Sequence, residues 1–240
     1  MYKTIIVKEK DSHYEIILNR PEKLNALSPE MIDDLHAALK QLQDSTPKIL
    51  LIRGEGSSFC SGHDLSTPVN FASVAEAEAE LSKLQDITRL IVTYQAPVIA
   101  ALHGYALGAG CEIALNCDLL YAAENAIIGF PELNVGLSIT QGTSFLLPRS
   151  VGLYKAKEWI FYSRQIEAKE AYALGLINEI YKEDEFLDKV YENIEELKKK
   201  PIQSLGEIKK LFNKGMAHTL DDSLKEEIHS LIKLLNEVRG

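Results

Sequence analysis

The sequence is poor in cysteine and contains no long apolar run. Three of its 240 residues are cysteines, Cys60, Cys111 and Cys117, and they lack C-x-x-C or Cys/His finger spacing. An odd number of scattered cysteines favours a reducing compartment over a disulfide framework. No apolar run approaches the ~20 residues of a membrane span, and the charged N-terminal segment lacks the apolar core of a signal peptide. These absences predict a cytoplasmic protein without a membrane partner.

Positive charge is also in short supply. The chain has 26 lysines and arginines against 35 aspartates and glutamates, which gives a formal net charge of −9. Non-specific binding to nucleic acid needs basic patches. The charge balance therefore disfavours a nucleic-acid partner.

Several motifs of large enzyme classes are missing. The chain has neither the G-x-x-x-x-G-K-[ST] of a phosphate-binding loop nor the G-x-G-x-x-G of a dinucleotide turn. It also lacks the G-x-S-x-G of serine hydrolases and the H-E-x-x-H of zinc hydrolases. These four classes are disfavoured.

Short apolar runs alternate with helical patterns along most of the chain. Strands are predicted at 4–7, 14–18, 48–53, 97–102, 119–122, 126–130 and 176–181, and helices at 29–44, 73–95, 111–115, 154–162 and 168–174. From residue 185 onward the sequence predicts helices, broken at Pro201 and near Gly215. The pattern is typical of an α/β protein with a helical tail, and alone it leaves a doubly wound sheet open.

The most distinctive segment runs from residue 96 to 118. An apolar run is followed by Gly104, Gly108 and Gly110, and helical character then restarts at Cys111. This order predicts a strand, a tight turn and a helix N-terminus. The first amides of a helix have no intrahelical partner and carry partial positive charge, so the position suits an anion.

The same segment carries a family resemblance. Gly104 to Glu112 reads Gly-Tyr-Ala-Leu-Gly-Ala-Gly-Cys-Glu, and Phe-Pro-Glu132 follows twenty positions after Glu112. These residues resemble the enoyl-CoA hydratase/isomerase family, which has the crotonase fold. The resemblance implies an α/β spiral of ββα units over residues 1–184 with an acyl-CoA site, and a C-terminal helical region over 185–240. It further implies a homotrimer or a dimer of trimers, no metal, and no cofactor besides the coenzyme A of the substrate.

The family's chemistry needs donors aimed at the thioester oxygen, which becomes negative as the acyl group takes on enolate character. By resemblance, Phe59-Cys-Ser-Gly-His-Asp-Leu65 supplies the main-chain amide of His63, and the glycine-rich segment supplies that of Ala109. Ala109 replaces the middle one of three glycines, which a main-chain donor tolerates. We interpret the His63 imidazole as incidental and Asp64 as a loop anchor, because Asp in turns commonly accepts hydrogen bonds from nearby amides.

Glu112 and Glu132 match the two catalytic glutamates of the family. The residues alone also allow plainer interpretations: Glu112 as an acid favourable to its helix dipole, and Glu132 as a solvated loop residue. Two carboxylates in different environments can divide acid and base roles, because their repulsion favours a state in which one stays protonated. By resemblance, Glu112 activates water and Glu132 supplies the proton to the α-carbon. The resemblance therefore implies an enoyl-CoA hydratase acting on a 2-enoyl-CoA.

Residues 136–149 depart from the hydratase pattern Gly-x-x-Pro-Gly-Ala-Gly-Gly-Thr by losing a proline and two glycines. This favours, as an alternative, a Δ3,Δ2-enoyl-CoA isomerase that uses Glu132 alone. A related isomerase subgroup has an aspartate base at the position of Thr140, and threonine cannot serve as that base. A more distant alternative is a non-catalytic RNA-binding or scaffold member of the fold, which the acidic balance disfavours.

The segment Arg20-Pro-Glu-Lys-Leu-Asn-Ala-Leu27 resembles the family's N-R-P-x-x-x-N-A-L, which lines the nucleotide end of coenzyme A. The resemblance implies that Lys23, Ala26 and Leu65 contact coenzyme A. Lys23 also has a plain interpretation as a solvated lysine.

Overall fold

Two β-sheets and their covering helices make up the computed structural model, which describes residues 2–66 and 73–239. The strands are β1 (Ile5–Glu9), β2 (His13–Leu18), β3 (Ile49–Gly54), β4 (Val98–Leu102), β5 (Tyr105–Leu107), β6 (Leu119–Ala123), β7 (Ile127–Gly129), β8 (Gln165–Glu167) and β9 (Glu179–Tyr181). The helices are α1 (Pro29–Gln43), α2 (Val74–Val92), α3 (Ala109–Leu115), α4 (Thr143–Val151), α5 (Leu153–Phe161), α6 (Ala168–Ala173), α7 (Phe186–Lys198), α8 (Ile202–Gly215) and α9 (Leu220–Arg239). Two short 3₁₀ helices, Pro21–Lys23 and Glu132–Val135, lie in connecting loops.

The larger sheet has the strand order β1-β2-β3-β4-β6-β9. β1 and β2 form an antiparallel hairpin in which Ile5 pairs with Leu18, and the other neighbouring strands are parallel. All residues of β2 and β4 are buried, as is typical of parallel strands covered on both faces. Leu50 and Ile52 belong to the core that includes α1 and α2, whereas Leu51 belongs to a second core that includes α7.

The smaller sheet has the strand order β5-β7-β8. A further bridge between Cys60 and Ala106 joins the loop after β3 to β5. The tight turn expected among Gly104, Gly108 and Gly110 contains the short strand β5, and the sequence does not predict β8. Three-residue strands form through pairing with their neighbours, so they leave little periodic signal.

Helices and strands whose ends carry a capping or helix-breaking residue lie where the sequence predicts them. The predicted hairpin is present, and α1 begins after Ser28, whose hydroxyl accepts a hydrogen bond from the Met31 amide at 3.2 Å. Pro29 occupies the first turn, as predicted. Helices α7, α8 and α9 are separated at Pro201 and just after Gly215, also as predicted.

A buried lysine docks α8 on the rest of the protein. Lys209 is 7% exposed, and its ammonium lies 2.7 Å from Asp118. The same ammonium donates to the carbonyl oxygens of Ile91 and Ala96 at 2.9 and 3.3 Å.

Within residues 2–66 and 73–239, no helix has the length and apolar character that crossing a bilayer requires.

Gly206 and Gly215 of α8 offer a matched test of this docking. A Cβ on Gly206 would lie 2.1 Å from the carbonyl oxygen of Gln95. We expect Gly206→Ala to displace α8 and to lower the free energy of unfolding by ~3 kcal/mol, at the upper end for overpacking. A Cβ on Gly215 would meet only the Ser223 hydroxyl at 3.9 Å, so Gly215→Ala should be neutral or stabilising by up to ~1 kcal/mol. Denaturant unfolding of both variants measures the difference, and equal stability would contradict this account of the docking.

Candidate active site

Gly62 and Gly108 lie against each other and set the direction of the peptides that follow them. Their φ angles are +97° and +52°, in the left-handed region that favours glycine. A Cβ on Gly62 would lie 3.0 Å from the Leu107 carbonyl oxygen and 3.6 Å from the Gly108 Cα. The next residues are His63 and Ala109. The structure therefore brings together the two main-chain positions chosen from the sequence.

The amides of His63 and Ala109 donate no hydrogen bond to any described residue. Leu27 donates to the carbonyl of Gly62 and accepts from the amide of Asp64, which directs the His63 N–H to the opposite side. Ala109 is the first residue of α3, where amides have no intrahelical acceptor. Both amides are thus available to a third group.

Glu112 lies in the first turn of α3 and is 2% exposed. Its Oε1 accepts hydrogen bonds from the Thr140 amide at 2.6 Å and the Thr143 hydroxyl at 3.0 Å. Its Oε2 accepts from the Thr140 hydroxyl at 2.8 Å and the Gln141 side-chain amide at 3.1 Å. An ionised carboxylate has about four acceptor positions. A single loop supplies donors for all of them.

Glu132 is in the opposite situation. Both carboxyl oxygens are buried, and neither has a hydrogen-bond partner among the described residues. Oε1 would lie 3.2 Å from a Cβ on Gly108, so the carboxyl group faces the beginning of α3. Burial raises the pKa of Glu132 to about 7, and the charge of Glu112 acts in the same direction. A buried carboxyl that titrates near neutral pH suits acid–base catalysis.

The loop that carries His63 is anchored by Asp64, as predicted. The Asp64 carboxylate accepts hydrogen bonds from the Ser66 amide and hydroxyl and from the Arg20 guanidinium, the last at 2.8 Å. The Ser66 hydroxyl and then Arg20 lower the pKa of Asp64 to about 2. The His63 imidazole is half-buried, and burial lowers its pKa, while the charge of Glu112 opposes that shift.

The three residues expected at coenzyme A lie near this anchored loop. Lys23 is exposed at the end of its 3₁₀ helix, and Leu65 is 72% exposed. Ala26 is buried, and its carbonyl oxygen accepts a hydrogen bond from the Arg20 guanidinium at 2.6 Å. The structure thus places two of the three side chains on the surface.

Asn25 is a structural residue that was not predicted from the sequence. It is fully buried, and its side-chain amide donates to the carbonyl oxygens of Glu55 and Ser58 at 2.9 and 2.8 Å. Its side-chain oxygen accepts from the Arg20 amide at 2.8 Å. Asn25 therefore joins the 20–27 segment to the loop after β3.

Thr140, Gln141 and Thr143 were likewise not predicted as donors to Glu112. They lie about thirty positions after Glu112, and no spacing rule connects them to it. The available signal was the unusual composition of 136–149, where Thr140 and Thr143 replace glycines of the family pattern and Gln141 replaces its alanine.

Comparison with known proteins identifies the family to which this arrangement belongs. The family model described as enoyl-CoA hydratase/isomerase matches residues 8–239. The chain belongs to this family. The match includes α3 and the loops at 62–66 and 132–143.

The relatives resemble this chain over most of its length, but their names give different reactions. Crotonyl-CoA hydratase of Syntrophomonas wolfei subsp. wolfei is 32% identical over 228 residues, covering 94% of this chain and 87% of the relative. 4-Chlorobenzoyl coenzyme A dehalogenase-2 of Arthrobacter sp is 30% identical over 232 residues, covering 95% and 84%. The crystal structure of a putative enoyl-CoA hydratase from Streptomyces coelicolor A3(2) has a TM-score of 0.94 at 29% identity, covering 98% of this chain and 88% of that one. The predicted crotonase fold is confirmed, and membership of the family leaves the reaction to be argued from the site.

Proposed function

We propose that the protein is an enoyl-CoA hydratase, which adds water to the double bond of a 2-enoyl-CoA thioester. The observation that carries the proposal is the contrast between two neighbouring glutamates. Glu112 accepts four hydrogen bonds, whereas the carboxyl oxygens of Glu132 are buried and have no hydrogen-bond partner among the described residues. Two carboxyl groups in such different environments suit the transfer of two protons. The identity of 32% with a crotonyl-CoA hydratase supports the same reaction.

The mechanism follows from the positions of these groups. The amides of His63 and Ala109 hold the thioester oxygen as it becomes negative, and each donor contributes roughly 3 kcal/mol. Glu112 is the base on the side of the water, and Glu132 gives its proton to the α-carbon. The reaction proposed here uses no metal and no cofactor besides the coenzyme A of the substrate.

Loss of the conjugated absorbance of crotonyl-CoA tests the proposal directly. A series of 2-enoyl-CoA thioesters of graded chain length, with identification of the 3-hydroxyacyl products, identifies the preferred acyl group. A protein that hydrates none of these thioesters would contradict the proposal.

A Δ3,Δ2-enoyl-CoA isomerase is the second candidate, and the occupied acceptor positions of Glu112 favour it. If Glu112 only holds its loop, Glu132 is the single group left to move a proton between the α- and γ-carbons. With 3-enoyl-CoA, an isomerase creates conjugated absorbance, whereas hydration of crotonyl-CoA removes it. The two activities therefore give absorbance changes of opposite sign.

We also propose that Lys23, Ala26 and Leu65 contact coenzyme A. All three lie on or beside the segment that Asp64 and Asn25 hold in place. Lys23→Ala and Leu65→Ala should raise KM for crotonyl-CoA with little change in kcat, since these residues lie away from the reacting carbons. A smaller thioester that lacks the nucleotide should show no such difference between the variants and the wild type.

We further propose a homotrimer or a dimer of trimers, assembled through the helical region at 185–240. Apolar side chains of α9 are 47 to 75% exposed and support this assembly; they are Leu220, Leu224, Ile228, Leu231, Ile232 and Leu235. Light scattering should give three or six times the chain mass of 26.8 kDa, and a monomer would contradict the proposal.

The proposed compartment is the cytoplasm, which agrees with three cysteines that are free and buried.

A further inference from the structure

The carboxylate of Glu112 has no acceptor position left for a water molecule. Its four donors lie 2.6 to 3.1 Å from the carboxylate oxygens. Glu112 is only 2% exposed, and the side chains of Gln141 and Thr143 are fully buried around it. A water molecule beside a bound substrate therefore finds no direct position on the carboxylate that is proposed to activate it.

Thr140 differs from the other donors in its exposure. It is half-buried, whereas Gln141 and Thr143 are inaccessible. Its hydroxyl donates its only proton to Oε2 of Glu112 at 2.8 Å. A hydroxyl has two acceptor lone pairs besides its proton, and no described residue donates to this one. The Thr140 hydroxyl can therefore accept a hydrogen bond from water while it donates to Glu112.

The position of this hydroxyl is fixed by its surroundings. The Thr140 amide donates to Oε1 of Glu112 at 2.6 Å, so one residue contacts both carboxylate oxygens. The Thr140 carbonyl accepts from the Thr143 amide at 2.9 Å. The carbonyl of Gln141, which has a φ of +49°, accepts from the side chain of Asn116 at 3.0 Å.

We propose that Thr140 is a catalytic residue that relays the proton of the reacting water to Glu112. This inference rests on the proposed hydratase function. As the water oxygen bonds to the β-carbon, one water O–H bond breaks and its proton passes to the Thr140 hydroxyl. The original hydroxyl proton passes to Oε2 of Glu112, and the α-carbon receives the proton of Glu132. Glu112 ends protonated and Glu132 ionised, and proton exchange with solvent restores both groups.

Two threonines allow a matched test of the relay. Thr140→Val and Thr143→Val each remove one hydroxyl that donates to Glu112, but only Thr140 of the two is partly exposed. We expect Thr140→Val to lower kcat on crotonyl-CoA by about 10²-fold or more, the usual size of a lost proton-transfer group, with KM nearly unchanged. Thr143→Val should lower kcat by less than about tenfold, the effect of one lost hydrogen bond. Thr140→Ser retains a hydroxyl and should recover most of the activity.

A second measurement separates the relay from damage to the site. Exchange of the α-protons of butyryl-CoA for deuterium in D₂O, followed by NMR, needs Glu132 and the two amides but no addition of water. Thr140→Val should retain this exchange while it loses hydration. Equal kcat values for the two valine variants, or parallel loss of hydration and exchange, would overturn the relay alone. A wild-type protein that hydrates no thioester would overturn the proposed function together with the relay.

Discussion

Replacing Glu132 by glutamine should lower kcat/KM on crotonyl-CoA by about 10³-fold, because the site loses a carboxyl group whose buried oxygens have no hydrogen-bond partner among the described residues and which is the proposed proton donor. Glutamine has nearly the same shape, so it fills the same space beside Gly108. Glu124→Gln is a matched control, since Glu124 is exposed and lies outside the proposed site. Steady-state kinetics of the two variants measures the effect. Wild-type activity in Glu132→Gln would remove Glu132 from the mechanism.

The pH dependence of the wild type follows from the same carboxyl group. Burial raises the pKa of Glu132 to about 7, and a hydratase needs the protonated form as proton donor. We therefore expect kcat/KM for hydration to fall as the pH rises above 7. An isomerase needs the ionised form as base, so its kcat/KM for 3-enoyl-CoA should rise toward pH 7 and then level off. The two profiles have opposite slopes.

The raised pKa of Glu132 also affects stability. The folded protein holds this proton up to about pH 7, whereas the unfolded chain releases it near the ordinary value for glutamate. Between these pH values the folded state binds more protons, so its stability falls as pH rises. Glu132→Gln removes this contribution and should unfold at a higher temperature than the wild type at pH 8, but not at pH 4. Thermal unfolding at both pH values measures the difference.

The sequence predicted the parts of the protein that have local causes. The cap at Ser28, the breaks at Pro201 and Gly215, and the apolar runs of β2 to β4 each have a signal within a few residues. The close approach of His63 and Ala109 agrees with glycines at 62 and 108. The expectation that the two amides act together came from the family resemblance. No local pattern connects two positions that are about forty-five residues apart.

The environment of the two glutamates could not be predicted in this way. The residues alone allowed Glu132 to be a solvated loop residue, and that interpretation is wrong, because both carboxyl oxygens are buried. The burial of these carboxyl oxygens depends on how the loop after β7 folds against α3. No periodic sequence pattern predicts that packing. The donors to Glu112 come from the segment that departs most from the family pattern, so the resemblance could not supply them either.

Replacing Glu112 by glutamine should separate the two candidate reactions. Its Oε1 faces the Thr140 amide, which can only donate, so the new NH₂ group must take the position of Oε2. There the Thr140 hydroxyl can turn to accept, but the Gln141 amide must rotate and lose its contact with the Ala109 carbonyl at 3.4 Å. We expect the variant to fold with a loss of about 1–3 kcal/mol, the cost of a buried donor left unsatisfied.

For a hydratase, Glu112→Gln should lower kcat on crotonyl-CoA by about 10²- to 10⁴-fold, because glutamine cannot take the proton of the water. For an isomerase, turnover of 3-enoyl-CoA should stay within about tenfold of the wild type, because Glu132 and both amides are unchanged. Glu112→Ala is a poorer variant, since it leaves all four donors without an acceptor. Full hydration by Glu112→Gln would mean that Glu112 only holds its loop, and that Glu132 alone moves protons in this site.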